Sequence, residues 1–197
     1  MTVRVSLVKE LRDRTGAGMM DCKNALLKTN GNVDTAIEHL RKQGIAKAER
    51  RVGKTTQEGQ VEAYIHPGSK LGVLVEVNCE TDFVARTEEF HKFVRDVAMQ
   101  IAATDPIAIS RDEVPEEIVE KERTIYRSQA LSSGKPEKIV EKIVEGKIVK
   151  FYSEVCLKEQ PFVKNPDVNV GNLLKELIAK VGENITIKRF IRFRLGE

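Results

Sequence analysis

Cysteines are few and never close together. Cys22, Cys79 and Cys156 are scattered along the chain with no CxxC spacing. An odd, dispersed set excludes a disulfide framework and points to reduced thiols in a cytosol-like compartment. No apolar run approaches the roughly 20 residues that span a bilayer, which excludes a transmembrane helix. The N-terminal stretch lacks the apolar core of a signal peptide, and acidic residues begin at Glu10 and Asp13. Neither a secretory nor a transit segment is expected there, so a cytoplasmic location is. A large excess of one charge is missing too. A net charge of +3 over 197 residues gives no strong attraction to polyanions. Fixed-period repeats and low-complexity segments are absent.

Catalytic constellations are equally scarce. His39, His66 and His91 lie more than one helical turn from one another and have no metal-ligand partner at a suitable spacing. There is no Gly-x-Ser-x-Gly and no Cys/His catalytic pattern. Gly53-Lys54-Thr55-Thr56 imitates the end of a phosphate-binding loop, but the required glycine five positions earlier is Ala48. A backbone nest around phosphate is therefore not expected there. Glu76, Glu80, Asp82, Glu88 and Glu89 are close in sequence, but strand alternation and helix rotation scatter their directions.

What the chain does have is 41% apolar residues, enough for a packed core, and 32% charged residues for a well-solvated surface. The first fifty residues read as three short helices. Leu7, Val8 and Leu11 recur at helical spacing, and Thr15-Gly16-Ala17-Gly18 ends the first. Cys22, Ala25 and Leu26 face one way in the second, which Asn30-Gly31-Asn32 stops. Asp34 is the expected cap of the third, before Ala36, Ile37 and Leu40, with Gly44 as its stop. So small a bundle buries little core. Met19-Met20, after a Gly-rich turn, reads either as an adaptable contact surface or as core. A basic stretch with Lys47, Arg50, Arg51 and Lys54 follows, and a domain boundary is expected near Lys54.

From Gln60 the period changes to two. Val61, Ala63 and Ile65 alternate, His66-Pro67-Gly68-Ser69-Lys70 turns the chain, and Leu71, Val73, Val75 and Val77 alternate again. An antiparallel hairpin with one buried face is expected. Thr87-Glu88-Glu89 caps a core helix with a wide stripe of Phe90, Phe93, Val94, Val97, Ala98 and Ile101. Asp105-Pro106 breaks it. Pro115-Glu116-Glu117 starts another helix with Ile118, Val119 and Ile125 on its buried side. Gly134-Lys135-Pro136 punctuates. Ile139 to Cys156 then continues as helix, with Gly146 as a possible division. A helical hairpin near 115–158 results. Leu173, Leu174, Leu177, Ile178 and Val181 form a last helix, closed by Gly182. Ile185, Ile187, Ile191, Phe193 and Leu195 share one parity in a final strand, which is expected to join the hairpin. Lys188, Arg189, Arg192 and Arg194, interleaved with Phe190 and Phe193, raise a nucleic-acid reading. Sheet edges also carry such charges merely to prevent aggregation.

The run Asn78-Cys79-Glu80-Thr81-Asp82-Phe83-Val84-Ala85-Arg86 joins the second strand to the core helix. Phe83 is either the first core residue of that helix or an aromatic pushed forward beside the Asp82 carboxylate. Loops held on a stiff scaffold often carry function.

Two long motifs, Thr15-Gly16-Ala17-Gly18-Met19-Met20-Asp21-Cys22-Lys23-Asn24-Ala25-Leu26 and Val75 through Arg86, resemble the bacterial elongation factor Ts family. The ending, Gly182-Glu183-Asn184-Ile185 through Phe190 and Phe193, is similar as well. Members are nucleotide exchange factors for the GTPase elongation factor Tu. The resemblance implies an α+β fold. Residues 1–54 would be a three-helix, ubiquitin-associated-like domain with a basic linker. Residues 55–197 would be a core with an antiparallel sheet and a projecting helical hairpin. It implies that Thr81, Asp82, Phe83 and Val84 press into the GTPase near its magnesium site, Phe83 as a wedge and Asp82 as a charge that reorganises polar groups. It implies that Arg12, Met19 and Met20 touch the GTPase too. The length is like the family's short form, which implies a homodimer. No covalent chemistry, cofactor, direct nucleic-acid contact or membrane follows from it.

Overall fold

A computed structural model describes residues 3–134 and 136–197. Lys135, expected within a helix stop, and the side chain of Lys47, counted in the basic stretch, lie outside the described residues. The elements begin with helices α1 (Val5–Thr15), α2 (Met19–Lys28) and α3 (Val33–Glu49). Strands β1 (Glu58–Ile65) and β2 (Leu71–Cys79) follow, then the one-turn helix α4 (Asp82–Ala85) and α5 (Glu88–Thr104). After a 3-10 turn at Arg111–Glu113 come α6 (Glu116–Ser132), α7 (Glu137–Val155), β3 (Pro161–Phe162), β4 (Asn165–Asn169), α8 (Val170–Val181) and β5 (Ile185–Arg194). The architecture is α+β.

Two compact units emerge. One comprises residues up to Gly59 together with 78–91 and 174–186, and the other 60–77, 92–173 and 187–197.

In the first unit the three opening helices share a core of Val8, Leu11, Cys22, Ala25, Leu26, Ala36 and Leu40. Helix α1 stops because Gly16 takes a left-handed φ of 68° and returns its N–H to the Arg12 carbonyl at 2.7 Å. Helix α3 departs from expectation at both ends. Its cap is Asn32, whose side chain accepts from Thr35 N–H at 3.0 Å. Asp34 already lies in the first turn and pairs with Arg14 at 3.1 Å. Gly44 does not stop the helix, which runs on to Glu49. It is a packing glycine instead: a Cβ there would lie 3.1 Å from the Ala179 Cβ of α8. Arg41–Glu176 and Lys175–Glu49 ion pairs flank that crossing at 2.9 and 3.2 Å.

The three-stranded sheet has the order β1-β2-β5. His66 N–H reaches the Leu71 carbonyl at 2.9 Å, closing the hairpin, and Leu195 N–H reaches Lys70 O at 2.8 Å. The end of β5 thus meets the start of β2, and the sheet is antiparallel. The hairpin's two apolar rows do not share a side, contrary to expectation. Gly72 lies beside Ile65, since a Cβ on Gly72 would meet Ile65 Cδ1 at 3.0 Å. Val73, Val75 and Val77 point the other way and are buried. Val61, Ala63 and Ile65 are exposed, while Gln60, Glu62 and Tyr64 take the half-buried side. Along β5 the parity holds but the cover ends: Ile185 and Ile187 are buried, Ile191, Phe193 and Leu195 exposed. Period two fixes which residues share a side, not which side another layer covers. Strand β5 is unbroken at Arg189 and Phe190.

In the second unit Phe93, Val94, Val97, Ala98 and Ile101 of α5 are buried as their stripe predicts. Helices α6 and α7 share a core with Val119, Ala130, Val140, Val144, Ile148 and Phe151. Ile118 and Ile125, expected inside, are exposed. The α6 side that meets α7 runs through Val119, Tyr126 and Ala130 instead, at helical spacing. Helix α7 passes Gly146 without a break, since a lone glycine costs only about 1 kcal/mol in a helix held by packing. The sequence pattern does not announce the pair β3–β4. Gln100 knits its neighbourhood together: its amide donates to Gln160 Oε1 and the Pro161 carbonyl at 3.2 and 3.1 Å, and its oxygen accepts from Val163 N–H at 2.8 Å.

Candidate functional site

The loop after β2 is held from beneath. Cys79 is fully buried and its thiol donates to the Thr81 carbonyl at 3.1 Å. Burial, reinforced by the nearby Glu183 and Glu58 carboxylates, pushes that thiol up to about 11. It stays protonated near neutrality and serves as a donor, not a nucleophile. Thr81 caps α4, its hydroxyl accepting from Val84 N–H at 3.5 Å. The same hydroxyl donates to Glu183 Oε1 at 2.7 Å, and the Thr81 amide donates to Glu183 Oε2 at 3.0 Å. Glu80 is tied in return: its carboxylate accepts from Asn184 N–H at 2.6 Å. Arg51 and Lys54 approach Glu80 at 3.7 and 3.8 Å, and the Lys54 carbonyl accepts from Asn184 Nδ2 at 2.8 Å. The imitation phosphate loop is thus engaged with protein groups, and Thr56 and Thr186 share a hydroxyl hydrogen bond of 2.9 Å.

Within this frame the four loop residues divide. Val84 is buried and Thr81 half-buried. Asp82 pairs with Arg86 across one turn at 2.9 Å. Phe83 is 79% exposed. The core alternative for Phe83 is excluded; that position falls to Phe90, which is fully buried. An exposed phenylalanine forgoes about 1.5–3 kcal/mol of burial, so Phe83 adds little to this chain's own core. The next helix is capped by Thr87, whose hydroxyl accepts from Phe90 N–H at 3.3 Å. Glu89 in its first turn is held below the usual carboxylate range by its own backbone amide and then by Lys180, at 3.1 Å.

Arg12, Met19 and Met20 flank the turn between α1 and α2, and all three are exposed. Neither methionine belongs to the bundle core. The turn is firm: Thr15 Oγ1 donates to Leu11 O at 2.7 Å, Ala17 N–H donates to Thr15 Oγ1 at 3.3 Å and the Cys22 thiol to Ala17 O at 3.6 Å. Lys180, the partner of Glu89, also passes close to this turn; a Cβ on Gly16 would lie 3.1 Å from its Cε. Sequence reasoning missed Glu183 and Asn184 as parts of the loop's frame. Their carboxylate and amide types carry no spacing signal across about a hundred residues.

The carboxylates near the loop serve different partners, and no group of three or more His, Cys, Asp or Glu side chains among the described residues could hold a metal ion. Among the described residues no helix is long and apolar enough to cross a membrane.

An α+β chain with a framed, aromatic-bearing loop can now be set beside known proteins. Residues 5–197 match the family model described as Elongation factor TS. The chain is 62% identical over 191 residues to elongation factor Ts of Carboxydothermus hydrogenoformans, covering 97% of this chain and 88% of that one. It is 58% identical over 196 residues to the Desulfosudis oleivorans protein of the same name, covering 100% and 99%. It is likewise 58% identical over 196 residues to that of Desulfotalea psychrophila, covering both chains in full. The chain belongs to the elongation factor Ts family, whose roles are translation elongation and nucleotide exchange.

Proposed function

We propose that this chain is the guanine-nucleotide exchange factor of elongation factor Tu, and that Thr81, Asp82, Phe83 and Val84 form the part that opens the nucleotide site. One observation carries the reading: Phe83 is almost fully exposed on a loop that is otherwise anchored. The aromatic enters the GTPase beside its magnesium site, with the Asp82 charge next to it. Magnesium demands near-octahedral oxygen ligation, so small displacements of its ligands cost much affinity. The factor binds the GDP-loaded and the nucleotide-free GTPase, and prefers the deformed, metal-poor state. Factor and GDP then weaken each other's binding by the same ratio. Moving a two-state equilibrium from 1:99 to 99:1 needs a preference of about 10⁴, or ~5.5 kcal/mol, so uniform contacts alone achieve nothing. No covalent bond changes.

Arg12, Met19 and Met20 supply a second contact. The core shared by the first three helices supports reading residues 1–54 as a ubiquitin-associated-like domain with a basic linker. Residues 55–197 are then the core domain, with the α6–α7 pair as its helical hairpin. The chain works in the cytoplasm as a homodimer. The support for the dimer is the exposed apolar side of the sheet, where Val61, Ile65, Leu74, Ile191 and Phe193 stand uncovered. A second copy, presenting the same side, buries them in an isologous contact. The nucleic-acid alternative is weakened by charge pairing. Arg189 meets Glu76 at 2.6 Å, Arg192 meets Asp105 at 3.2 Å and Arg194 meets Glu197 at 3.6 Å.

Stopped-flow release of fluorescent GDP from elongation factor Tu tests the reading. Acceleration that saturates with the factor's concentration is expected. An unchanged release rate at saturating protein contradicts it.

A further inference from the structure

We propose that Glu183 is a positioning residue for exchange, setting the direction of Phe83 through Thr81. The inference rests on the reading of Phe83 as the wedge.

Helix α4 has only four residues, Asp82–Ala85. A helix of one turn has no stability of its own, because nucleation fixes several backbone dihedrals for one hydrogen bond. Its orientation, and with it that of Phe83, is set by the buried Val84 side chain and by what holds its cap. That cap is Thr81, and both of its donors end on one carboxylate: amide to Glu183 Oε2 at 3.0 Å, hydroxyl to Glu183 Oε1 at 2.7 Å. The two-point attachment fixes an angle as well as a position, which a single bond does not. It also fixes polarity. A carboxylate only accepts, so the Thr81 hydroxyl must give its proton to Glu183 and keep its lone pairs for Val84 N–H. The cap therefore works in one sense only while residue 183 is an acceptor at both oxygens.

The attachment is reciprocal. Glu80 takes the Asn184 amide at 2.6 Å while Glu183 takes the Thr81 amide. Adjacent residues of two segments about a hundred positions apart thus exchange carboxylate–amide bonds, so sliding one segment along the other breaks both. Glu183 itself follows Gly182, whose φ of 78° turns the chain out of α8 and aims the carboxylate at the loop. The Cys79 thiol on the Thr81 carbonyl completes a setting in which Thr81 is engaged at amide, carbonyl and hydroxyl.

The test uses the full chain with elongation factor Tu and fluorescent GDP. Glu183→Gln, Glu183→Ala, Phe83→Ala and the double variant Phe83→Ala/Glu183→Ala are compared with the wild type. Maximal release rate and half-saturating concentration are read separately. Charge-assisted bonds to one group imply a loss of about tenfold in maximal rate for either Glu183 variant, with the half-saturating concentration unchanged. In the Phe83→Ala background, removing Glu183 should cost nothing further, because there is no wedge left to aim. Glu183 variants at wild-type speed beside a slow Phe83→Ala overturn the positioning role alone. Equal losses in both backgrounds also overturn it, showing a merely structural residue. Phe83→Ala at wild-type speed overturns the wedge reading and this inference with it. Should Glu183→Ala melt during the assay, the near-isosteric Glu183→Gln decides.

Discussion

Two regions expose aromatic side chains, and they do so in opposite ways. At the junction after β2, one phenylalanine stands out from a frame tied by side-chain hydrogen bonds to a distant turn. On the open side of the sheet, Phe193 is 63% exposed among a row of aliphatic neighbours on regular strands, with no special frame. A framed single aromatic makes a point contact whose direction matters. A flat apolar row makes an area contact whose extent matters. The first suits deforming a partner, the second holding a copy of the same chain.

The largest expected effect breaks the area contact. Leu74→Asp combined with Phe193→Asp places two charges in that face, and burying an uncompensated charge is prohibitive. The double variant should be a monomer by light scattering at concentrations where the wild type is expected to be a dimer. A variant that remains dimeric places the contact elsewhere.

Next in size is the support beneath the frame. Gly44→Leu drives a side chain into the α3–α8 crossing, where even a Cβ meets Ala179 at 3.1 Å. Overpacking of this kind costs about 1–3 kcal/mol. Denaturant unfolding should show the loss, and a midpoint equal to that of the wild type would mean the crossing is loose.

Thr81→Val is smaller. It removes the hydroxyl that links Glu183 to the cap, worth about 1 kcal/mol, and should slow GDP release about fivefold without altering the dimer. Thr81→Ser should restore the rate. Weakened dimerisation in Thr81→Val would erase the separation between point and area contacts.

The last effect is on pH dependence and is confined to alkaline conditions. Burial pushes both Cys79 and Cys156 up to about 11, whereas thiols in an unfolded chain ionise near ~8.5. The unfolded state therefore loses its protons first. The stabilising contribution is full below pH ~8.5 and declines as pH rises towards 11. Cys79→Ser should flatten part of that alkaline decline in melting temperature, leaving the Cys156 share. An unchanged slope would show that the Cys79 thiol ionises as easily folded as unfolded.

The helices were legible because their burial repeats every three to four residues: Cys22, Ala25 and Leu26, or Phe90 through Ile101, fall on one side of their helices whatever lies beyond. The hairpin strands and their antiparallel partner were legible too, but not their covered side. Val61 and Ile65 are as apolar as Val73 and Val75, and only the third dimension says which row meets another layer. Gly44 and Gly146 misled for a related reason. A glycine that marks a stop and one that marks a close approach or a tolerated gap look alike in sequence. At the loop, periodicity left Phe83 with two fates, and family likeness favoured the exposed one. The frame that Glu183 and Asn184 provide was invisible, since it depends on two segments meeting that the sequence holds about a hundred residues apart.

In the proposed function Phe83 acts on the nucleotide site and is not simply an anchor. The direct measurement is Phe83→Ala in stopped-flow GDP release, paired with its affinity for GDP-loaded elongation factor Tu. A wedge that lowers the barrier to GDP release by about 2 kcal/mol accounts for about thirtyfold in rate. The maximal release rate should be lower by at least that factor, while affinity for the GDP-loaded partner falls far less. Equal losses in rate and affinity would contradict it.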